Sequence, residues 1–476
     1  MSDNIDVKII DTSKHDDIKH RTKVKDTEYK EGKIYIRSIN GVFTAIRQKL
    51  NWILMLGFFL LPWIPYGDRQ AVIFDLAEQK FHIFGLIIWP QDLVLLAALL
   101  MISAYALFLI TTFIGRVWCG FTCPQTIWTF IFVWVEEKVE GKFNKRKKLD
   151  QQPNNWTKIW KKGLKHSIWL IISLITSLTF LAFFVPVKEL YIDFFTLNAS
   201  GLIYFWTLFF TFCTYGNAGW MREIMCLHMC PYARFQSAMF DKDTFSVAYD
   251  AQRGESRGPR SRKKDPKELG LGDCIDCNLC VQVCPTGIDI RDGLQYECIN
   301  CGACIDACDD VMEKMGYEKK LISYTTENQL EGKKTHIIRG KLVGYGSVLA
   351  IMSIVFIYFL MSIQPLKLDI IRDRNQLYRI SSEGLIENVY TLKILNKTEE
   401  DLNYKLSFSG LEEFEWLGVN EIFVKAGEVY TLPMSISADP YNLKKKLVNV
   451  TFIVEASLTN GEKIIVKEET KFFNEI

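Results

Sequence analysis

Eight cysteines between positions 274 and 308 carry the strongest chemical signal in the sequence. They read Cys274-Ile-Asp-Cys277-Asn-Leu-Cys280-Val-Gln-Val-Cys284-Pro285 and, repeated, Cys298-Ile-Asn-Cys301-Gly-Ala-Cys304-Ile-Asp-Ala-Cys308. This is the C-x2-C-x2-C-x3-C run of two-cluster bacterial ferredoxins, whose fourth cysteine ligates the other cluster. Three closely spaced thiolates wrap one face of a 4Fe-4S cubane, while the fourth points away. By that rule Cys274, Cys277, Cys280 and Cys308 hold one cluster, and Cys298, Cys301, Cys304 and Cys284 hold the second. Zinc sites favour two separated C-x2-C pairs and match paired triplets poorly. Asp309 replaces the proline expected after the last cysteine. Proline is no ligand, so the cofactor reading stands. Such centres carry single electrons at tunable potentials.

A second signal is Cys119-Gly-Phe-Thr-Cys123-Pro124, which recurs as Cys226-Leu-His-Met-Cys230-Pro231. Residues i and i+4 of a helix share a face, so each pair is expected to offer two sulfurs in one direction. Four converging thiolates would make a soft site suited to Cu(I) or to an iron–sulfur centre. Met221, Met225 and Met229 repeat every four residues beside the second pair, with His228 between them. The candidate copper ligands are therefore Cys119, Cys123, Cys226, Cys230, Met225, Met229 and His228. A plain packing role competes with this, because free cysteine behaves as a small hydrophobe and methionine fills cores. Arg116 and Arg222 stand beside the two motifs. They suit either of two tasks, lowering thiol pKa values or anchoring helix ends.

The elements that must position these residues include membrane helices. Uncharged runs at Leu50–Gly67, Leu93–Gly115, Ser167–Val187, about Gly201–Trp220 and Leu342–Ile363 approach or exceed the ~20 residues a helix needs to cross a bilayer. They predict five spans. Val117–Val135 is also uncharged, but Pro124 would break it, so a re-entrant or interfacial helix with Trp128 and Trp134 at headgroup level is expected. The Lys138–Lys165 segment holds many cations, whereas the Val187–Ser200 loop holds only Lys188. The positive-inside rule then puts the amino terminus in the cytoplasm and the carboxyl terminus outside. No secretory signal is read in residues 1–40, and about the first 30 read as a disordered extension.

The expected fold is thus a multi-domain membrane protein. Residues 1–40 form a disordered cytoplasmic segment, 41–240 an α-helical transmembrane domain bearing both Cys-x3-Cys-Pro motifs, and 241–340 a cytoplasmic two-cluster ferredoxin-like domain. A last transmembrane helix spans 341–364. Residues 365–476 alternate in short β-like runs between turn signals, which predicts an immunoglobulin-like β-sandwich on the outer face. Ala71–Asp75 and Lys80–Ile87 suggest a small hairpin, and Asp92 at the start of the second span is a functional candidate. The basic stretch Arg253–Lys267 could bind lipid headgroups or an acidic donor, or could be a solvated linker. The 57 Lys+Arg against 55 Asp+Glu give no argument for nucleic acid. Thirteen cysteines, an odd number tightly spaced, suit metal ligation in a reducing compartment better than disulfides.

With these parts in order, the chain resembles the cytochrome c oxidase accessory protein family (FixG/RdxA/CcoG-like). The resemblance rests on Lys80-Phe-His-Ile-Phe-Gly85 with Trp89-Pro-Gln-Asp92, both Cys-x3-Cys-Pro motifs, the double ferredoxin run, and Tyr390-Thr-Leu-Lys-Ile-Leu-Asn-Lys-Thr398. It implies a multi-pass protein of the bacterial inner membrane that acts in assembly of a cbb-type cytochrome oxidase by reducing Cu(II) to Cu(I). Two 4Fe-4S clusters would deliver electrons, and Cys119, Cys123, Cys226 and Cys230 would bind or reduce copper. Implied partners are membrane lipid, oxidase subunits or copper-delivery proteins, and an unidentified cytoplasmic electron donor; a homodimer is compatible with the sequence. The alternative is a quinol-oxidising membrane ferredoxin relay of a respiratory chain.

Overall fold

The computed structural model describes residues 34–474 apart from positions 68, 78, 90–91, 263–268, 296, 363, 374–375, 399, 444 and 459–462. The expected amino-terminal extension lies largely outside the described residues. The chain divides into two compact units, Met1–Phe74 with Leu96–Ile354, and Asp75–Leu95 with Val355–Ile476.

In the first unit the helices run α1 (Val42–Leu60), α2 (Leu93–Ile114), α3 (Val117–Phe121), α4 (Pro124–Glu140), α5 (Phe143–Gln151), α6 (Trp156–Leu181), α7 (Val187–Phe195) and α8 (Gly201–Gly216). Among the described residues, α2, α6 and Gly340–Met361 are long and apolar enough to cross a membrane. The other two expected spans fall short of that standard. α1 carries Arg47 and Lys49 in its first half, and α8 has only 16 residues before it passes into π-helix at Asn217–Met221. Asn155 caps α6 and Ser200 caps α8, each side chain accepting from a backbone N–H three residues on, as small polar N-caps do.

The expected interfacial segment is two helices. α3 ends before Cys123, and Pro124 occupies the first turn of α4, where its missing N–H costs nothing. Trp134 is exposed, as a headgroup anchor would be, but Trp128 turns inward and donates from Nε1 to Thr176 of α6. Nor is the lysine-rich stretch a simple solvated loop. α5 buries Arg146, and α6 buries Lys165; both pair with acidic residues of α4. Arg253, Arg257 and Arg260 of the basic stretch are likewise engaged internally, with Asp273, Asp292 and Tyr317 respectively.

Around the ferredoxin cysteines, Ser246–Tyr249 pairs antiparallel with Ile322–Thr325. Val247, Tyr249, Ile305, Met312, Leu321 and Ile322 form the core beneath this ribbon.

The second unit holds the β-sandwich. One sheet orders Glu415–Leu417, Val429–Ala438, Ile386–Asn396 and Leu366–Arg372; the other orders Glu421–Val424, Leu402–Ser409, Leu447–Ser457 and Lys463–Phe473. Strand Leu402–Ser409 alternates buried and exposed at every residue, the period-2 pattern of a sheet with one wet face. Tyr390, Phe452 and Phe408 meet edge to face in the core. The run Lys80–Ile87, expected as one arm of a hairpin, is itself a hairpin: Lys80–Ile83 pairs with Leu86–Ile88, turning at Phe84 (φ 50°).

Asp92 finds its role in this unit. Lys397 places its Nζ 2.8 Å from Asp92 Oδ2, with 7% and 17% of the two side chains exposed. Trp89 donates its backbone N–H to the same carboxylate and packs with Ile87 and Leu395. Asp92 is therefore a structural clamp here, not a free membrane carboxylate. Replacing it by alanine leaves a largely buried ammonium unpaired. Chemical denaturation of the full-length protein should show a loss of about 1.5–3 kcal/mol for Asp92→Ala, and Lys397→Met added to it should recover part of that loss.

Candidate metal centres

The two C-x2-C-x2-C loops share one backbone design. In each, the residue before the second cysteine and the residue after it take left-handed φ: Asp276 (54°) and Asn278 (55°), then Asn300 (51°) and Gly302 (70°). Asn, Asp and Gly tolerate that region better than other residues. Two such kinks turn the three cysteines of a run toward a common point. Each third cysteine lies in the first turn of a helix, Leu279–Gln282 or Ala303–Met315, which leads the chain to the fourth. Asp309 lets the second helix run on for 13 residues, where a proline would break it. Its Oδ1 accepts from the Lys320 backbone N–H at 2.8 Å.

The cysteines enclose two cavities. One is lined by Cys284, Cys298, Cys301 and Cys304, with Cys280 on its wall. The other is lined by Cys274, Cys277, Cys280 and Cys308. Each triplet thus meets the fourth cysteine of the other run, as the spacing rule requires. Cys277 is exposed, whereas Cys301 is buried.

The donor set fits iron–sulfur cubanes. Burial pushes the thiols of Cys280 and Cys308 up to about 12, with neighbouring thiols adding to the effect for both and Arg291 opposing it at Cys280. Burial also pushes Cys298 up to about 12 and Cys304 well above its ordinary value. Such thiols ionise only against a bound metal cation. Among the described residues, no three His, Cys, Asp or Glu side chains sit close enough to hold one metal ion. Sulfurs spread over the wall of a cavity suit a multi-atom cluster better than one tetrahedral zinc.

The two Cys-x3-Cys-Pro motifs also share a local geometry, though not the one expected. In each, the first cysteine lies on a helical turn and the second is an extended N-cap: Cys123 (φ −62°, ψ 127°) before α4, and Cys230 (φ −77°, ψ 111°) before Pro231–Met239. The residue before proline is driven out of the helical region, so the pairs do not form one i, i+4 face. Met225–Met229 is π-helical, a form that recurs at functional sites. Met221 belongs to the preceding π-helix, separated from Met225 by the break at Arg222, and Met229 is 56% exposed.

Cys226 lies within electrostatic reach of Cys119, Cys123 and Cys230. Burial, followed by those thiols, pushes its own up to about 12, and Arg116 opposes the rise. The four thiols are therefore electrostatic neighbours, although among the described residues no three of them sit close enough to hold one metal ion. The first motif rests directly on the ferredoxin loop: a Cβ on Gly120 would fall 2.6 Å from the Ile299 carbonyl oxygen and 2.8 Å from Cys301 Cα. Cys119 packs with Cys301, Val283 and Ala307, and the Asn300 amide donates to the Ile114 carbonyl at 3.3 Å.

The two arginines part company. Arg222, held at a φ of 32°, reaches Glu136 Oε1 at 2.9 Å and so anchors the approach to the second motif. Arg116 turns instead to Gln236 beside Cys119. Glu136 and Glu140, 1% exposed, also bind Arg146 and Lys165, while Lys165 and Arg222 lie over the Trp169 ring at 4.5 and 5.5 Å. No motif announces this network; the only trace in the sequence is two glutamates at the end of an apolar run.

Comparison with known proteins agrees with this layout. Residues 221–327 match a family described as a 4Fe-4S dicluster domain, residues 96–146 a 4Fe-4S binding domain, and residues 356–475 an IG-like fold at the C-terminal of FixG. The nitrogen fixation protein FixG of Rhizobium meliloti is 36% identical, with 80% of each chain covered. Protein RdxA of Cereibacter sphaeroides is 39% identical, with 79% of this chain and 82% of that protein covered. Among solved structures, a FixG-related protein from Vibrio parahaemolyticus is 38% identical over 24% of this chain and all of that one, with a TM-score of 0.21.

Two measurements probe these centres. Glu136→Gln strips the buried cations of a shared partner, and the denaturation midpoint should fall by an amount equivalent to about 3–5 kcal/mol. In iron-depleted protein, thiols pushed to about 12 keep protons that the unfolded chain releases near ~8.5. Above that pH the unfolded state binds fewer protons, so stability is complete below about 8.5 and declines toward about 12. Urea midpoints of depleted protein should therefore hold up to about pH 8.5 and fall from there toward about pH 11, while the iron-loaded protein should stay level.

Proposed function

The chain belongs to the FixG family, and from that membership we propose that it reduces Cu(II) to Cu(I) at the cytoplasmic membrane for assembly of a cbb-type cytochrome oxidase. Bound 4Fe-4S clusters supply one-electron redox chemistry, and Cu(II) takes up one electron to become Cu(I), so the stoichiometries agree. The electron comes from a low-potential cytoplasmic carrier that meets the protein near exposed Cys277.

The observation that carries this reading is the seating of Gly120 against Cys301. It seats Cys119 against Cys301, one of the cysteines that line the inner cavity. In this reading the four thiolates receive copper as a substrate, and thiolate donors favour its cuprous state. An arrangement short of a closed cage suits a metal that must enter and leave. Met225, Met229 and His228 offer further soft donors along the exit. The lysine-rich α5–α6 region supports a cytoplasmic ferredoxin domain and an external β-sandwich under the positive-inside rule, with α1 and α8 completing five crossings. The sandwich then faces oxidase subunits or copper-delivery proteins.

A second reading, oxidation of membrane quinol, draws on one feature. A cleft between α1, α4, α6 and α8 is lined by Phe58, Gln125, Trp128, Phe180 and Phe210, next to Pro124. Anaerobically reduced protein separates the two. Added Cu(II) should reoxidise it, one Cu(I) appearing per electron lost, and serine variants of Cys119, Cys123, Cys226 and Cys230 should lose at least tenfold in that rate with iron content unchanged. Reoxidation by a soluble quinone analogue but not by Cu(II) would support the relay instead.

A further inference from the structure

Arg116 has no part in holding either cubane or copper by the ligand rules above, yet it is 4% exposed. A buried guanidinium is costly unless it is hydrogen-bonded and placed against negative charge. Its Nε donates to Gln236 Oε1 at 2.5 Å. Gln236 is itself 1% exposed and lies 3.7 Å from Cys119 Sγ. The preceding turn is tied to the ferredoxin loop. Ile114 accepts from the Asn300 amide, Gly115 at φ 55° leaves room for Asn300 only because it has no Cβ, and Asn300 Oδ1 lies 3.4 Å from Cys298 Sγ. Arg116 is thus held between the first Cys-x3-Cys-Pro motif and the inner cysteine run. Cys119 in turn packs against Cys301 of the inner run, whereas the outer run has a cation of its own, Arg291, paired with Asp276 and Asp289.

We propose that Arg116 is a positioning residue that raises the reduction potential of the Cys284/Cys298/Cys301/Cys304 cubane selectively. An electron arriving there adds one negative charge to a buried cluster, and a fixed cation nearby favours the reduced form; net charge is one of the levers that set such potentials. The cation is shared with the thiol site, so the electron is drawn toward the cubane from which the Cys119 motif is nearest. Gln236 keeps the guanidinium from swinging toward water.

This inference rests on the two-cluster reading but not on copper. The test is an anaerobic redox titration of the full-length protein followed by electron paramagnetic resonance, with iron counted in the same samples. Cys298→Ser identifies the signal of the inner cubane. Arg116→Gln should lower the midpoint potential of that signal and leave the other unmoved, while Arg116→Lys, which keeps the charge, should restore most of the difference. Gln236→Leu should lower the same midpoint by less, and it serves if Arg116→Gln loses iron. Iron-loaded Arg116→Gln or Gln236→Leu protein with both midpoints unchanged, or with both displaced equally, would overturn the assignment. Absence of iron from the unmodified protein would instead overturn the two-cluster reading on which it stands.

Discussion

The close approach of Gly120 to the backbone of Cys301 is the constraint on which the rest of the first unit depends. There is no space for a side chain at Gly120, since a Cβ would lie under 3 Å from three backbone atoms. One helical turn, α3, therefore presents Cys119 to the inner cysteine run at van der Waals range. Asn300 completes the joint. Its left-handed φ shapes the cysteine loop, its Nδ2 holds the Ile114 carbonyl, and its Oδ1 neighbours Cys298. A single asparagine thus serves the loop, the helix end and a candidate ligand.

The second motif is held in a different way, by charge. Arg222 opens the turn that leads to Cys226, and Glu136 fixes it from α4, while Arg146 and Lys165 share that glutamate and Lys165 also reaches Glu140. A buried network of this kind stabilises little relative to an apolar core of the same volume. Its merit is discrimination, because a displaced helix would strand several charges at once. Geometry at the four-thiol site is in this sense enforced from two sides, by contact at Gly120 and by ion pairing at Glu136.

Legibility in the sequence follows the range of each determinant. The cubane cysteines were readable because spacing along a loop and the crossing rule are local facts, and the left-handed positions are signalled by Asp276, Asn278, Asn300 and Gly302. Strands such as Leu402–Ser409 show their alternation openly. Leu366–Arg372 falls inside the expected sandwich but stands before its first clear alternating run, and Glu421–Val424 is too short to declare a period. The helical reading of Cys-x3-Cys erred for a local reason that was also visible, namely the restriction proline places on Cys123 and Cys230. Asp92 could not be understood locally at all, since its partner Lys397 lies 305 residues away.

The crossing of Cys284 and Cys308 has a further consequence for the unit as a whole. Neither cavity is complete without the other run, so neither half can acquire a full thiolate set alone. Because Cys119 packs on Cys301 and Phe43 of α1 lies within 3 Å of a Cβ position at Gly302, α1 and α3 are part of the same closure. Desolvated thiols that resist ionisation supply the coupling: as thiolates they are costly in an empty fold and favourable only around bound metal. Assembly of the cubanes and docking of the Cys-x3-Cys-Pro turn are therefore two views of one cooperative step, which ties the electron-carrying part of the chain to its membrane part through the energetics of sulfur rather than through a flexible linker.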